Sequence, residues 1–222
     1  MDWNEIVSFV DAYIPAVAAN PNRQTYLIHA NAAMADIATR THCHVKEWRR
    51  GADFEVERNL IIVPEDLLTV KDVLCGSAPL RDMTAASNQT VRWGPDITGR
   101  PHAYIMRDGS TIALSSVPPD ETDIRIVGAG LFPKLKGDST DKEILKLIPM
   151  GSQNMIAYYI ITSLPLVAEI PTGANSLSAS IAQMRMREIE KQQQKFAAKY
   201  EEAVAMIIAN MNRRRSSPFK YG

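Results

Sequence analysis

The residues most able to carry chemistry in this chain are the neighbours His42, Cys43 and His44. A protein zinc site needs three or four nitrogen, sulfur or oxygen ligands around one ion. Histidines two positions apart point to different sides of a helix, so His42 and His44 could share a metal only on extended backbone. His29 lies more than three helical turns earlier, and no third ligand stands at a useful spacing. We therefore expect surface or packing histidines and predict no metal or other cofactor.

Motifs for nucleophilic or nucleotide chemistry are also missing. The sequence has no Gly-x-Ser-x-Gly elbow and no phosphate-binding Gly-Lys-Ser/Thr. Cys43 beside two histidines could form a thiolate pair, but neighbours in sequence rarely have the required geometry. The segment Gly128-Ala129-Gly130 is half of a dinucleotide fingerprint, yet Leu131-Phe132-Pro133 follows it instead of a third glycine and a helix. We expect this segment and Cys75-Gly76 to be strand ends, and we predict that the chain is not an enzyme.

A basic segment at the end of the chain is the most informative candidate for an interaction site. Its last ten residues carry four positive charges and two aromatic side chains. The candidate contact residues are Arg213, Arg214, Arg215, Phe219, Lys220 and Tyr221. One interpretation is a solvated end that complements the negative pole of a preceding helix. The other is an arm that becomes ordered on an acidic protein groove or on a phosphate backbone.

The composition is that of a globular protein without a charge bias. The 222 residues are 45% hydrophobic and 23% charged, which is enough for a core and argues against disorder of the whole chain. The 25 basic and 25 acidic side chains give a net charge of zero, so contact with nucleic acid would need a local cluster or many copies together. The two cysteines make no disulfide framework.

Neither a secretion signal nor a membrane span is expected. Residues 1–5 carry acid where a signal peptide carries base. The longest apolar stretch, Met155–Ala168, is too short to cross a bilayer and contains Pro165. We expect a soluble intracellular product with no membrane partner.

The first 48 residues have the pattern of two helices. Asp2 is a suitable cap for a helix, and the Asn20-Pro21-Asn22 turn separates the two. Apolar residues at spacings of three and four define one face on each helix. These faces consist of Ile6, Phe9, Val10 and Tyr13, and of Tyr26, Leu27, Ala30, Met34, Ile37 and Ala38.

Residues 52–131 change to the short apolar runs and turn residues of β-strands. The Asp108-Gly109 turn predicts a hairpin over 103–114. No helix-length segment interrupts the runs, so we expect a mostly antiparallel sheet. The predicted strands are 54–57, 60–63, 68–74, 91–93, 103–106, 111–114 and 124–127.

Residues 138–215 return to helical patterns. Thr140 and Glu143 have the spacing of a capping box, and Pro149 should stop or kink that helix. A buried helix face is predicted from Met155 to Leu164. A long helix should then run from about Asn175 to Asn212, and its polar stretch 191–195 interrupts the apolar stripe. The stripe consists of Leu177, Ile181, Met184, Phe196, Tyr200, Val204, Ile207 and Met211.

These patterns together predict an α+β fold, in which a small antiparallel β-domain is inserted into a helical bundle that ends in a long C-terminal helix. We expect bundle helices in residues 1–51, the β-domain in 52–135, further bundle helices in 136–212 and a basic, helix-breaking docking tail in 213–222. Because the long helix outreaches the others, part of it should meet something outside its own subunit.

The order of these elements and four local patterns resemble the head-to-tail adaptor, or connector, proteins of tailed bacteriophages. Ala32–Trp48 resembles the helix that leads into the β-domain, and Gly99–Pro119 resembles the hairpin with its Gly-x-Pro start and its proline pair. Asp123–Leu135 resembles the following strand, and Ile148–Pro165 resembles the return helix. The stretch Lys136–Leu147 departs from the pattern by adding a capped helical turn.

The resemblance implies a virion structural protein with no catalytic role. Such proteins form a ring beneath the portal at the capsid vertex, usually twelvefold, that extends the DNA channel and offers a platform for the tail. It implies as partners the portal protein, a tail or nozzle protein, further copies of the chain, and the viral double-stranded DNA. It also implies a place in the virion neck after synthesis in the host cytoplasm.

Other functions remain open at this stage. One is a different phage neck or tail-completion protein, such as a tail-side stopper. Another is a DNA-binding module that uses the basic tail, whose affinity for free DNA would fall steeply with salt. A third is an enzyme with a cryptic His/Cys metal site, which stoichiometric zinc in the purified protein would support.

Overall fold

The computed structural model describes residues 2–13, 23–84, 93–149, 152–164 and 176–216. The chain divides into two compact units. The helical unit consists of Met1–Cys43 and Phe132–Gly222, and the β-unit consists of His44–Leu131. Helices and antiparallel sheets together confirm the predicted α+β class.

The first helix, α1 (Trp3–Tyr13), begins with the predicted cap at Asp2. The Asp2 carboxylate accepts a hydrogen bond from the Glu5 amide at 3.0 Å, and the Glu5 carboxylate accepts one from the Asp2 amide at 2.7 Å. This reciprocal pair satisfies two amides that a helix start leaves without partners. Its predicted apolar face is buried at Ile6 and Val10.

The second helix, α2 (Arg23–Thr41), buries the predicted stripe except for Leu27, which is half-buried. Its Asn31 side chain holds the segment that returns from the β-unit, because its amide donates to the Leu135 carbonyl at 3.1 Å and its oxygen accepts from the Leu135 amide at 2.7 Å. His42 then takes a left-handed backbone, with φ of 50°.

The prediction of helical structure up to residue 48 is wrong, since strand β1 occupies Val45–Arg49. Burial of Trp48 in the β-unit and pairing with a distant strand decide this conformation.

The predicted capping box at α3 (Asp141–Leu145) is also wrong. The Thr140 side chain makes no cap bond, and its hydroxyl donates instead to Asp138 at 2.5 Å. The buried Asp141 carboxylate accepts from the amides of Lys136 at 2.9 Å and Gly137 at 2.7 Å. The loop before the helix therefore uses the first acid of the helix. The helix ends at Leu145, before Pro149 is reached.

The remaining helices are α4 (Met155–Ser163) and α5 (Ser176–Ser216). The face predicted for α4 is confirmed, with Met155, Ile156 and Ile160 fully buried. The long C-terminal helix is confirmed as well, but it continues through Arg213, Arg214 and Arg215, so the helix-breaking part of the tail does not start at residue 213. Arginine favours helices, and the next proline is Pro218.

The described strands of the β-unit form two sheets, in the orders β1-β9-β4-β5 and β2-β3-β8-β7-β6. All described pairs are antiparallel except β6 with β7. The strands are β1 (Val45–Arg49), β2 (Val56–Glu57), β3 (Leu60–Ile62), β4 (Leu67–Cys75), β5 (Ala78–Pro79), β6 (Arg81–Asp82), β7 (Ala103–Met106), β8 (Thr111–Leu114) and β9 (Ile124–Gly130).

The predicted hairpin is β7 with β8, where Ile105 lies opposite Ala113. Gly109 has a φ of 76° in its turn, and the Asp108 carboxylate accepts from the Ser110 amide at 3.1 Å. Of the strand predicted at 91–93, the first two residues lie outside the described residues and Trp93 is not in a strand. The core between the sheets includes Trp48, Ile61, Ile112, Leu114 and Ile126.

Candidate partner-binding site

The two halves of helix α5 have different surroundings. In its second half Phe196, Tyr200, Val204 and Ile207 are buried against the helical unit. In its first half, by contrast, the described stretch from Ser180 to Gln192 contains no buried residue. We name this stretch the uncovered segment of α5, because its residues are exposed apart from the half-buried Ala182, Met186 and Ile189. At 1.5 Å per residue, it is roughly 20 Å long.

Two exposed apolar side chains lie one turn apart on the uncovered segment. Ile181 is 41% exposed and Met184 is 62% exposed. Residues three apart lie on the same side of a helix, so these two form one small apolar surface. Met186 and Ile189 lie on another side and are half-buried. The side chain of Leu177, at the start of the predicted stripe, is outside the described residues.

Gln193 marks the point where the packed half of α5 begins. Its side-chain amide donates to the carbonyls of Ile161 and Leu164, each at 3.0 Å. Carbonyls at the end of a helix have no partner within that helix, so the two bonds satisfy groups that α4 leaves open. The polar interruption at 191–195 therefore contains an anchor as well as a solvated face.

Aromatic rings fix the next turn of α5. The Phe196 ring lies 4.9 Å from the ring of Tyr13, 5.5 Å from that of Tyr158 and 6.3 Å from that of Phe9. The Lys199 ammonium lies 5.4 Å from the centre of the Phe196 ring, within reach of a cation–π contact.

One turn later, a polar network joins α5 to α2. The Tyr200 hydroxyl donates to the Asp36 carboxylate at 2.6 Å, and Arg40 contacts both carboxylate oxygens of Glu201 at 2.9 and 2.5 Å. Burial and then the bond to Asp36 raise the pKa of Tyr200, whereas the bond from Arg40 lowers the pKa of Glu201. The packed half of α5 is thus held in a defined position, from which the uncovered segment extends.

Three of the six predicted contact residues of the tail lie at the C-terminal end of α5. Arg213 is an exposed residue of its last turns. The backbone of Arg214 and Arg215 is helical, while their side chains lie outside the described residues. Phe219, Lys220 and Tyr221 lie outside the described residues altogether. No buried residue follows Ile207 within the described part of the helix.

The histidine and cysteine group does not assemble into a metal site. Among the described residues, no three His, Cys, Asp or Glu side chains are placed to hold one ion. Burial raises the pKa of the Cys43 thiol despite the opposing bond from Thr41, and burial followed by Lys46 lowers the pKa of His44. A thiol with a raised pKa stays protonated at neutral pH, which does not suit a nucleophile.

The glycines of the possible nucleotide fingerprint serve close packing. Both lie in strand β9, as the expected strand end. A Cβ on Gly128 would lie 2.1 Å from the Thr69 carbonyl oxygen, and one on Gly130 would lie 2.7 Å from the Trp48 ring. These glycines therefore allow neighbouring groups of the β-unit to approach.

Asp66 joins the same part of the β-unit by accepting from the Trp48 indole at 2.8 Å and pairing with Lys46. Burial opposes ionisation of Asp66, but these two partners outweigh it and lower its pKa.

Comparison with known protein families matches residues 1–221 to the SU10 adaptor protein. The chain belongs to the SU10 adaptor protein family. This is a family of phage adaptor type, so the resemblance in the sequence is confirmed at that level. A search of curated proteins finds no match. In the described part of the chain, no helix has both the length and the apolar character needed to cross a bilayer.

Two features of helix α5 could not be predicted from the types of its residues. Ile181 and Met184 fit the apolar spacing of the buried stripe, and only the packing shows that they are exposed. Gln193 is one of three consecutive glutamines, and sequence gives no reason to prefer it over Gln192 or Gln194, both of which are exposed. Two signals in the sequence pointed to this region, namely the length of the helix and the break in its apolar stripe.

Proposed function

We propose that this chain is the head-to-tail adaptor of a tailed bacteriophage. Copies of it form a ring, taken as twelvefold from the resemblance, beneath the portal at the capsid vertex. The ring extends the DNA channel and provides the platform on which the tail or nozzle protein assembles. Its role is structural rather than enzymatic. Membership of the adaptor family supports this proposal.

The structural observation that best supports ring formation is the uncovered segment of α5. Most helical stability in proteins comes from packing of one face rather than from helix propensity. A segment of roughly 20 Å without a buried residue gains such packing when a neighbouring copy covers it. Ile181 and Met184 are the side chains that would become buried there.

The C-terminal end of the chain is the proposed portal contact. Its residues are Arg213, Arg214, Arg215, Phe219, Lys220 and Tyr221. Guanidinium groups suit carboxylate partners, and aromatic rings supply apolar anchors. Arg213, the one residue of this segment whose side chain is described, is exposed, so we expect the chain without residues 213–222 to fold. We expect it to fail to bind the portal.

A ring also explains how a chain of zero net charge could surround DNA. One basic side chain repeated by rotational symmetry becomes a belt of positive charge. This differs from a DNA-binding module that acts as a single copy through its tail. A single-copy module would bind free DNA at low salt and lose affinity as salt rises.

The test is assembly on isolated portal rings, followed by mass measurement of the complex. The full chain should add to the portal in a fixed number of copies. The variant Ile181→Glu with Met184→Glu should lose ring completion, whereas Ile28→Glu should assemble normally, since Ile28 is a 60% exposed residue on another helix. Deletion of 213–222 should abolish portal binding. A full chain that ignores portal rings, or that binds free DNA as a monomer with steep salt dependence, would overturn the proposal.

A further inference from the structure

A groove with apolar walls lies on the β-unit, beside the short edge strand β2. It encloses about 560 Å³. Ile62 is 71% exposed and lines it together with the half-buried Leu60 and Val63. Alternate residues of a strand point to opposite faces, so Leu60 and Ile62 share the outer face while Ile61 enters the core. An isoleucine this exposed beside other apolar walls gains from a covering partner.

Carboxylates surround the apolar walls. Among the residues that the structure describes, no basic side chain lines the groove. The acidic residues that line it are Asp53, Glu55, Glu57 and Glu65, and all four are exposed. The groove therefore suits a segment that combines positive charges with apolar anchors.

The same chain contains a segment of that composition. Residues 213–222 carry four positive charges, with Phe219 and Tyr221 on either side of Lys220. In extended backbone these two rings point to one side and Lys220 to the other. Pro218 favours extended backbone in the residue before it. The cations and the two rings of this segment are complementary to the carboxylates and the apolar walls of the groove.

We propose that the acidic groove of the β-unit binds the C-terminal segment 213–222 of a second copy of this chain. The inference rests on the proposed assembly of several copies. A contact between the groove of one copy and the tail of another is heterologous, the type that links copies into chains or rings. The portal and the groove would compete for the same segment, so the groove holds it before the portal is met.

The first test is binding of a labelled peptide with the sequence of residues 213–222, followed by fluorescence anisotropy. The protein is the full chain with its own tail neutralised by Arg214→Gln, Arg215→Gln and Lys220→Gln. Binding should weaken as salt screens the exposed charges. A dissociation constant of about 1 mM corresponds to a binding free energy of about 4 kcal/mol, which is weak. Absence of binding at about 1 mM protein would therefore overturn the proposal.

Variants of the groove test the location. Glu57→Gln with Glu65→Gln should lower the affinity for the peptide by about threefold or more, since each exposed ion pair contributes up to about fivefold in affinity. Ile62→Thr should weaken it too while keeping a β-branched residue in the strand. The matched control is Asp96→Asn with Glu121→Gln, two exposed acids of the same unit outside the groove. Equal loss in groove and control variants would overturn the assignment.

Charge reversal separates a second copy from the same chain. Glu57→Lys with Glu65→Lys, and separately Arg214→Glu with Arg215→Glu, should each reduce self-association in sedimentation velocity. Mixing the two variants should restore association, because each then meets opposite charge in the other. If the peptide binds but mixing does not restore association, the proposal that the tail in the groove belongs to a second copy is overturned. Groove variants should still bind portal rings. Failure of the unmodified chain to bind portal rings would therefore contradict the proposed function and not the groove proposal.

Discussion

Replacing Gln193 with glutamate should loosen the point from which the uncovered segment of α5 extends. The Gln193 amide donates two hydrogen bonds of 3.0 Å, to the carbonyls of Ile161 and Leu164. Glutamate has nearly the same shape and no donor when ionised. Its carboxylate would therefore face two carbonyl oxygens at the negative end of α4.

The contacts set the size of the effect. Each hydrogen bond contributes about 1 kcal/mol to the free energy of unfolding, so the loss of two costs about 2 kcal/mol. Placing negative charge near the end of α4 adds up to about 1 kcal/mol. Because Gln193 is half-buried, the carboxylate can turn partly towards water, which limits the total to about 2–3 kcal/mol. A chain of this length should then melt about 5–10 °C lower.

Urea unfolding of the full chain measures this change, and the glutamine run supplies its own controls. Gln192→Glu and Gln194→Glu introduce the same charge at exposed positions on either side. Surface substitutions of this kind stay within about 0.5 kcal/mol of the parent. If Gln193→Glu unfolds within that margin of Gln194→Glu, the anchoring role of Gln193 is refuted.

Three further predictions concern stability. Gly128→Ala places a Cβ 2.1 Å from a backbone oxygen and should cost about 3 kcal/mol in thermal unfolding, while Gly94→Ala, with nothing nearer than 3.9 Å, should be neutral; equal melting would contradict the packing role. Because the pKa of Asp66 is lowered in the folded chain, the free energy of unfolding lost in Asp66→Asn should be constant near neutral pH and should shrink below about pH 4. Urea unfolding at neutral pH and below about pH 4 measures this difference, and a loss that does not change with pH would argue against the ion pair. Tyr200→Phe should cost about 1.5–3 kcal/mol by thermal unfolding because its hydroxyl bonds a carboxylate, whereas Tyr159→Phe should cost little, and matching losses would count against that bond.

Regular elements with a clear period could be predicted from the sequence. The hairpin of β7 and β8 follows from strand alternation on both sides of Asp108-Gly109, and the buried face of α4 follows from helical spacing. Strands β1, β5 and β6 could not be predicted. Two of them are two residues long, and β1 is defined by pairing with β9, about eighty positions later in the chain.

The candidate site was predicted in part. The length of α5 follows from composition and spacing, while the contact residues near its C-terminus stay a prediction. The exposed position of Ile181 and Met184 depends on where packing ends. A long helix offers more than one apolar face, and only its partners determine which face is buried. The acidic groove combines residues before β2 with residues after β3, so its existence depends on a turn that sequence spacing alone does not define.

The pairing of β1 with β9 also affects how the β-unit can change. The chain enters that unit along β1 and leaves it along β9, and Val45 lies directly opposite Ala129. The two crossing strands are thus side by side, about 5 Å apart. The segment between β1 and β9 therefore begins and ends at neighbouring positions, so it joins the two parts of the helical unit as a short loop would. Loops of the β-unit that are remote from this strand pair can consequently lengthen or shorten while the ends of the inserted segment stay together, as in an inserted module.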